Sequence, residues 1–162
     1  MISVRPMTRD DWPTVRRIYE EGIATGLATF ETKTPDWDEW NASHLPFGRL
    51  VASRDGTVAG WAALSPVSDR CAYAGVAEVS VYVAEANRGL GIGRTLLDAL
   101  VSASESKGIW TLQAGVFAAN LGSIGLHERC GFRIVGRRER LGQLGGVWHD
   151  VLLLERRSDI VG

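Results

Sequence analysis

Two cysteines in 162 residues leave no room for a disulfide framework, and Cys71 and Cys130 lack the spacing of a metal-binding pair. A reducing compartment, and hence the cytoplasm, is the expectation, with no metal. Apolar runs are short: none approaches the ~20 residues of a membrane span. Met1 to Asp11 is charged and lacks the apolar stretch of a secretory leader. Neither sign of charge dominates. A formal net charge of -1 argues against nucleic acid or an anionic membrane as main partner. There is no repeat, low-complexity tract or linker. What remains is 45% hydrophobic and 23% charged, an ordinary globular composition, with length enough for one domain over 1–162 and a sizeable core. The six tryptophans fit either a core or a pocket lining. An enzyme or a small-molecule binder is the starting class.

Hydrophobic periodicity then orders the chain. Ile2 to Arg5 alternates as a short strand, and Thr8 with Asp11 forms a variant capping box before Trp12, Val15, Ile18 and Tyr19, one face of a helix running to about Gly22. Residues 22–34 read as a loop, and Pro35 opens a second short helix carrying Trp37 and Trp40. Arg49–Ala52 and Val58–Leu64 are strands joined through Asp55-Gly56, a hairpin signal. After a loop to Gly75 comes a strand from Glu78 to Val83, then a helix from about Thr95 to Lys107-Gly108. Trp110–Val116 is a strand, Asn120 caps a helix through Cys130, and Phe132–Val135 and Trp148–Leu154 are late strands. The glycine-rich basic stretch 136–146 reads as the connection between those two. The order β-α-α-β-β-β-α-β-α-β-β describes a mixed α/β fold.

Between strand and helix lies Arg88-Gly89-Leu90-Gly91-Ile92-Gly93-Arg94. Alternate glycines leave backbone N–H groups unshielded where a helix N-terminus already points unpaired donors, so the loop is either an anion cradle for a phosphate or diphosphate, or a plain turn. Nucleotide signatures fail on spacing: Arg88 stands where a P-loop needs its first glycine and Arg94 where it needs lysine, and the glycines do not fit Gly-x-Gly-x-x-Gly.

The arrangement Arg-x-x-Gly-x-Gly after a valine-rich strand resembles motif A of the GCN5-related N-acetyltransferase (GNAT) superfamily. Asn120, Ser123, Leu126, His127, Gly131 and Phe132 resemble the second half of that pattern, with His127 where tyrosine is common. The resemblance narrows to phosphinothricin and methionine-sulfoximine N-acetyltransferases through Ala28–Glu31, Arg70–Tyr73, Glu78, Leu126-His127-Glu128 and Gly146–Val151. It implies a mostly antiparallel central sheet with helices on both faces, acetyl-CoA as cosubstrate, a small-molecule amine acceptor and a homodimer. It also implies that the amides of Gly89, Leu90, Gly91, Ile92, Gly93 and Arg94, with Arg88, hold the diphosphate. Backbone of Val81, Tyr82 and Val83 would pair with the pantetheine arm, and Asn120 and Ser123 would lie on the cofactor side. Ala74, Gly75 and residues 141–146 depart from relatives, which implies a wider, less cationic acceptor pocket.

Amine acetylation needs a base, because an ammonium has no lone pair. Period-two alternation sets Glu78, Ser80 and Tyr82 on one strand face, and Glu78 is the candidate general base. His127, with an ordinary pKa near ~6.5, is the second candidate, or else a core histidine. An acceptor carboxylate calls for arginine, so Arg70 beside Tyr73 is a candidate ligand, or else a solvated loop charge, with Phe30 and Glu31 lining the pocket. The open alternatives are another amine acceptor (peptide N-terminus, polyamine or aminoglycoside) and a non-catalytic CoA-binding module.

Overall fold

Asp55 and Gly56 both take positive φ, 52° and 82°, as a two-residue type I′ hairpin requires. The turn sets strand β2 (Leu50–Arg54) antiparallel to β3 (Thr57–Pro66), and β1 (Ile2–Pro6) pairs with the far edge of β2. The computed structural model describes all 162 residues. Asp11 ties β1 to the start of the first helix: its carboxylate accepts from the Thr8 amide at 2.8 Å and from both terminal nitrogens of Arg5 at 2.8 Å each. The Arg5 guanidinium is the main reason that its pKa falls to about 2. One 3-10 turn, Arg9–Asp11, then leads into helix α1 (Trp12–Ala24). Helix α2 (Trp37–Ser43) begins two residues later than Pro35 suggests, because Asp36 is its cap, accepting from the Glu39 amide at 2.9 Å.

Strand β4 (Val76–Val83) leads through the glycine loop into α3 (Ile92–Ser106), followed by β5 (Thr111–Phe117), α4 (Leu121–Arg129), β6 (Arg133–Leu144) and β7 (Val147–Arg157). Together the strands form one seven-stranded sheet in the order β1-β2-β3-β4-β5-β7-β6, with β4 and β5 its parallel pair. One face packs Ala77 and Val79 of β4 against Ile92, Leu96 and Leu100 of α3 and Ile124 of α4. The other packs Trp61 and Ala63 against Trp12, Val15 and Ile18 of α1 and Trp40 of α2. Helices thus cover both faces, as the family pattern implies. No helix is long and apolar enough to cross a membrane.

Two sequence expectations are corrected. Helix α3 starts at Ile92 rather than Thr95: Gly91, at φ 85°, is its N-cap, so the glycine loop itself supplies the first turn. Residues 136–144 are strand rather than connection, and only Gly145 and Gly146, at φ 56° and 79°, make the turn into β7. Strand β6 is an edge strand, exposed along most of its length. It therefore carries no alternating apolar pattern, and register shifts at Ile134/Gly136 and Arg138/Gly142 break its period further.

Candidate active site

The parallel pairing of β4 with β5 covers Val76–Thr111, Ala77–Leu112 and Glu78–Gln113, and ends there, whereas β4 stays paired with β3 as far as Val83. Beyond Glu78 the strands part. The β5-side backbone edge of Val79 to Val83 is left without a strand partner, and the gap widens into a cavity of about 790 Å³. Its lining includes Glu78 to Val83, Gln113 to Phe117, the glycine loop, the cavity-facing side of α4 and the Leu27–Phe30 segment.

At one end, the N–H groups of Gly89 to Arg94 have no partner within the chain, and they precede the dipole of a 15-residue helix. A Cβ on Gly93 would lie 3.2 Å from Leu126, so glycine there lets α3 approach α4. Arg88, Arg94 and Arg129 add positive charge. Unpaired amides, a helix start without a side-chain cap and three guanidinium groups fit a diphosphate, and the open strand edge fits an amide-bearing arm.

Midway lie the titratable groups. Gln113 donates from Nε2 to Glu78 Oε1 at 3.3 Å, holding the carboxylate at the last paired rung of the two strands. His127 is 5% exposed. Burial pulls its pKa below the ordinary histidine value, against the opposing effect of its bond to the Ser123 carbonyl. Since a carbonyl only accepts, Nδ1 carries the proton in that 2.7 Å bond, leaving Nε2 as an acceptor in the neutral ring. Burial pushes the Cys130 thiol up to about 11, so no thiolate stands ready near neutral pH for an acyl-enzyme. Asn120 caps α4 by accepting from the Ser123 amide at 3.2 Å, and its Nδ2 donates to the Leu27 carbonyl at 3.2 Å, tying the Leu27–Phe30 segment over the cavity.

These observations bring together most of the residues singled out in the sequence. Val81, Tyr82, Val83, Arg88, Gly89, Gly91, Ile92, Gly93, Arg94, Asn120 and Ser123 line the cavity with Glu78, His127 and Phe30. Leu90 turns its side chain outward, 45% exposed, which leaves its backbone as the available contact. Glu31, Arg70 and Tyr73 are exposed and lie outside the lining: Arg70 precedes the 3-10 turn Cys71–Tyr73 that leads into β4. Sequence reasoning missed Gln113, Arg129 and Arg138. The signal for Gln113 is its polar side chain between buried Leu112 and Ala114 of the same strand; Arg138 lies in the stretch that reads as a connection.

The chain matches the acetyltransferase (GNAT) family over residues 7–132. It belongs to that family. As a member it is an N-acetyltransferase that uses acetyl-CoA as cosubstrate. It is 39% identical to phosphinothricin N-acetyltransferase of Alcaligenes faecalis, over 95% of this chain and 81% of that protein. It is 31% identical to the L-methionine sulfoximine/L-methionine sulfone acetyltransferase of Pseudomonas aeruginosa, over 97% of this chain and 95% of that one. Among solved structures, it superposes on a GNAT superfamily phosphinothricin acetyltransferase from Sinorhizobium meliloti in complex with AcCoA, with a TM-score of 0.88. The identity there is 29%, covering 96% of this chain and 88% of the other.

Proposed function

We propose that the protein acetylates the α-amino group of a small amino-acid analogue of the phosphinothricin or methionine-sulfoximine type, by direct attack of the free amine on the thioester. The observation that carries this reading is Glu78. It is a carboxylate held by Gln113 where β4 and β5 part, inside the cavity that also contains the anion cradle. Acetyl-CoA supplies the electrophilic thioester carbon. Amides of Gly89 to Arg94 bind its diphosphate, with Leu90 contributing backbone alone, and the Val81–Val83 edge aligns the arm. Glu78 takes the proton that frees the amine lone pair, directly or through one water. His127, neutral and with Nε2 free, is a second acceptor that can return its proton to the departing thiolate. Phe30 walls the acceptor end.

Thiol release is the test, measured over a panel of small α-amino acids, a peptide N-terminus, a polyamine and an aminoglycoside. Turnover of α-amino acid analogues above background hydrolysis is the expected result, and turnover confined to the other amines would overturn the acceptor class. Glu78→Gln should lose most of kcat while acetyl-CoA affinity is retained; an unchanged kcat removes Glu78 from the base role.

A homodimer belongs to the same proposal. The β6–β7 hairpin exposes Ile134, Val135, Leu141, Val147 and Trp148 at one sheet edge, each between 43% and 57% accessible, and a second copy is the natural cover for such an edge. Sedimentation should give the dimer mass, and Trp148→Glu should shift it toward the monomer. Two free cysteines, one of them exposed, fit a cytoplasmic setting.

A further inference from the structure

The charged side chains in the cavity lining divide into two groups. Arg88, Arg94 and Arg129 serve the cradle end: Arg94 and Arg129 are close enough to act together on Cys130, and Arg88 opens the glycine loop. The remaining two are Glu78 and Arg138. Arg138 sits on β6 opposite Val151 of β7, and Val151 is opposite Phe117 of β5. Directly opposed residues in a pleated sheet share a face. Arg138, Val151, Phe117 and, two residues back from Phe117, Gly115 therefore share the face on which Gln113 meets Glu78. That face is the acceptor floor, since α3 and α4 lie on the other side.

No acidic side chain neutralises Arg138. On the same strand, Arg137 is paired with Asp150 and Arg133 with Glu155, but Arg138 has neither an ion pair nor a side-chain hydrogen bond. Its strand is nonetheless held firmly to the cavity. A Cβ on Gly142 would lie 2.8 Å from the Phe30 ring, so β6 rests against the wall, and the register shift between Arg138 and Gly142 turns the strand there. Glu78 and Arg138 are three strand spacings of ~4.8 Å apart across the sheet and, since Glu78 is level with Gln113 and Arg138 with Phe117, four residues or about 13 Å apart along it, so they line opposite ends of that floor. A free guanidinium in a cavity whose one carboxylate acts as base calls for an anion from the substrate.

We infer that Arg138 recognises an oxyanion carried by the acceptor, either its α-carboxylate or an oxyanion at the end of its side chain. This assignment rests on the amino-acid reading given above. It places the specificity determinant on β6 rather than on the loop around Arg70.

Steady-state kinetics at saturating acetyl-CoA test it with three acceptors: L-methionine sulfone, its carboxamide and L-phosphinothricin. Arg133→Ala, which removes a charge from the same strand outside the cavity, is the control. Arg138→Ala should raise the acceptor KM roughly 10- to 100-fold with a much smaller change in kcat, and Arg138→Lys should raise it less. A penalty on the sulfone and phosphinothricin that shrinks on the carboxamide identifies the α-carboxylate as the ligand. A penalty confined to phosphinothricin identifies its phosphinate. An equal penalty on all three acceptors, or an effect no larger than that of Arg133→Ala, overturns the assignment. The two readings fail separately: a wild type inactive on all three acceptors refutes the amino-acid reading, whereas an active wild type indifferent to Arg138→Ala refutes this assignment alone. Arg138 is an exposed edge-strand residue, so the variant should fold.

Discussion

Replacing glycine by alanine should have opposite signs in two helices of this protein. In a helix interior the exchange ordinarily stabilises by about 1 kcal/mol, because alanine loses less backbone entropy on folding. At Gly125 of α4 that gain should survive, since the nearest atom to a new Cβ is Nη1 of Arg129 at 3.2 Å, the tip of a flexible chain. At Gly22 of α1 the new Cβ would lie 2.6 Å from two carbons of the Tyr82 ring. That ring is held by its neighbours: it stacks on buried Trp61 at 4.9 Å with 12° between planes, and Tyr19 lies 4.9 Å away. Relief requires movement of roughly 1 Å in a packed aromatic layer, and overpacking of that kind costs about 1–3 kcal/mol. After subtracting the alanine preference, Gly22→Ala should destabilise by up to about 2 kcal/mol. For a chain of this length that lowers Tm by up to roughly 8 °C, while Gly125→Ala should raise it by roughly 2–4 °C. Scanning calorimetry on both variants decides the matter. Shifts of the same sign would refute the argument that the Tyr82 contact, rather than helix propensity, dictates glycine at 22. Tyr82 also lines the cavity, so Gly22→Ala should disturb acetyl-CoA binding.

Other expectations are more direct. Gly91→Asp puts a carboxylate at an open position in the left-handed region, φ 85°, beside the amide cradle; acetyl-CoA affinity by calorimetry should fall at least tenfold, more than for Gly91→Ala, and equal losses would contradict an anion site. Burial lowers the pKa of both His44 and His127, so each resists protonation in the folded state while the unfolded chain accepts it near ~6.5. Stability should therefore be full above that value and decline as pH falls below it, and urea melts of His44→Gln with His127→Gln should show a flatter slope there. Asp11 contributes in a separate window: its pKa of about 2, against 3.8, means stabilisation above 3.8 that is lost as pH falls through 2, and Asp11→Asn should remove that acid limb.

Local pattern carried much of the chemistry. Glycines at 89, 91 and 93 mark a turn with open backbone amides, the proposed anion cradle, because their effect operates within one loop and the first turn of one helix. The period-two alternation of Glu78 to Val83 set Glu78 and Tyr82 on one face and Val79 on the other, and Asn120 announced itself as a cap three residues before the amide it binds. Strand β6 escaped because an edge strand owes its existence to its neighbour: without a buried face there is no alternation to read, and glycine with arginine looks like loop.

Where the cavity opens, and what faces into it, is a matter of long-range pairing alone. The parting of β4 from β5 after Glu78–Gln113 joins residues 35 positions apart, and no local preference records the rung at which pairing stops. The tether from Asn120 to the Leu27 carbonyl spans 93 residues. Arg138 reaches the acceptor floor through two successive registers, β6 on β7 and β7 on β5. The proposed place for acetyl-CoA is thus written in the local sequence. Tertiary structure selects the side chains that the acceptor meets, because a strand's face toward a cavity is set by register with distant strands and not by the residues beside it.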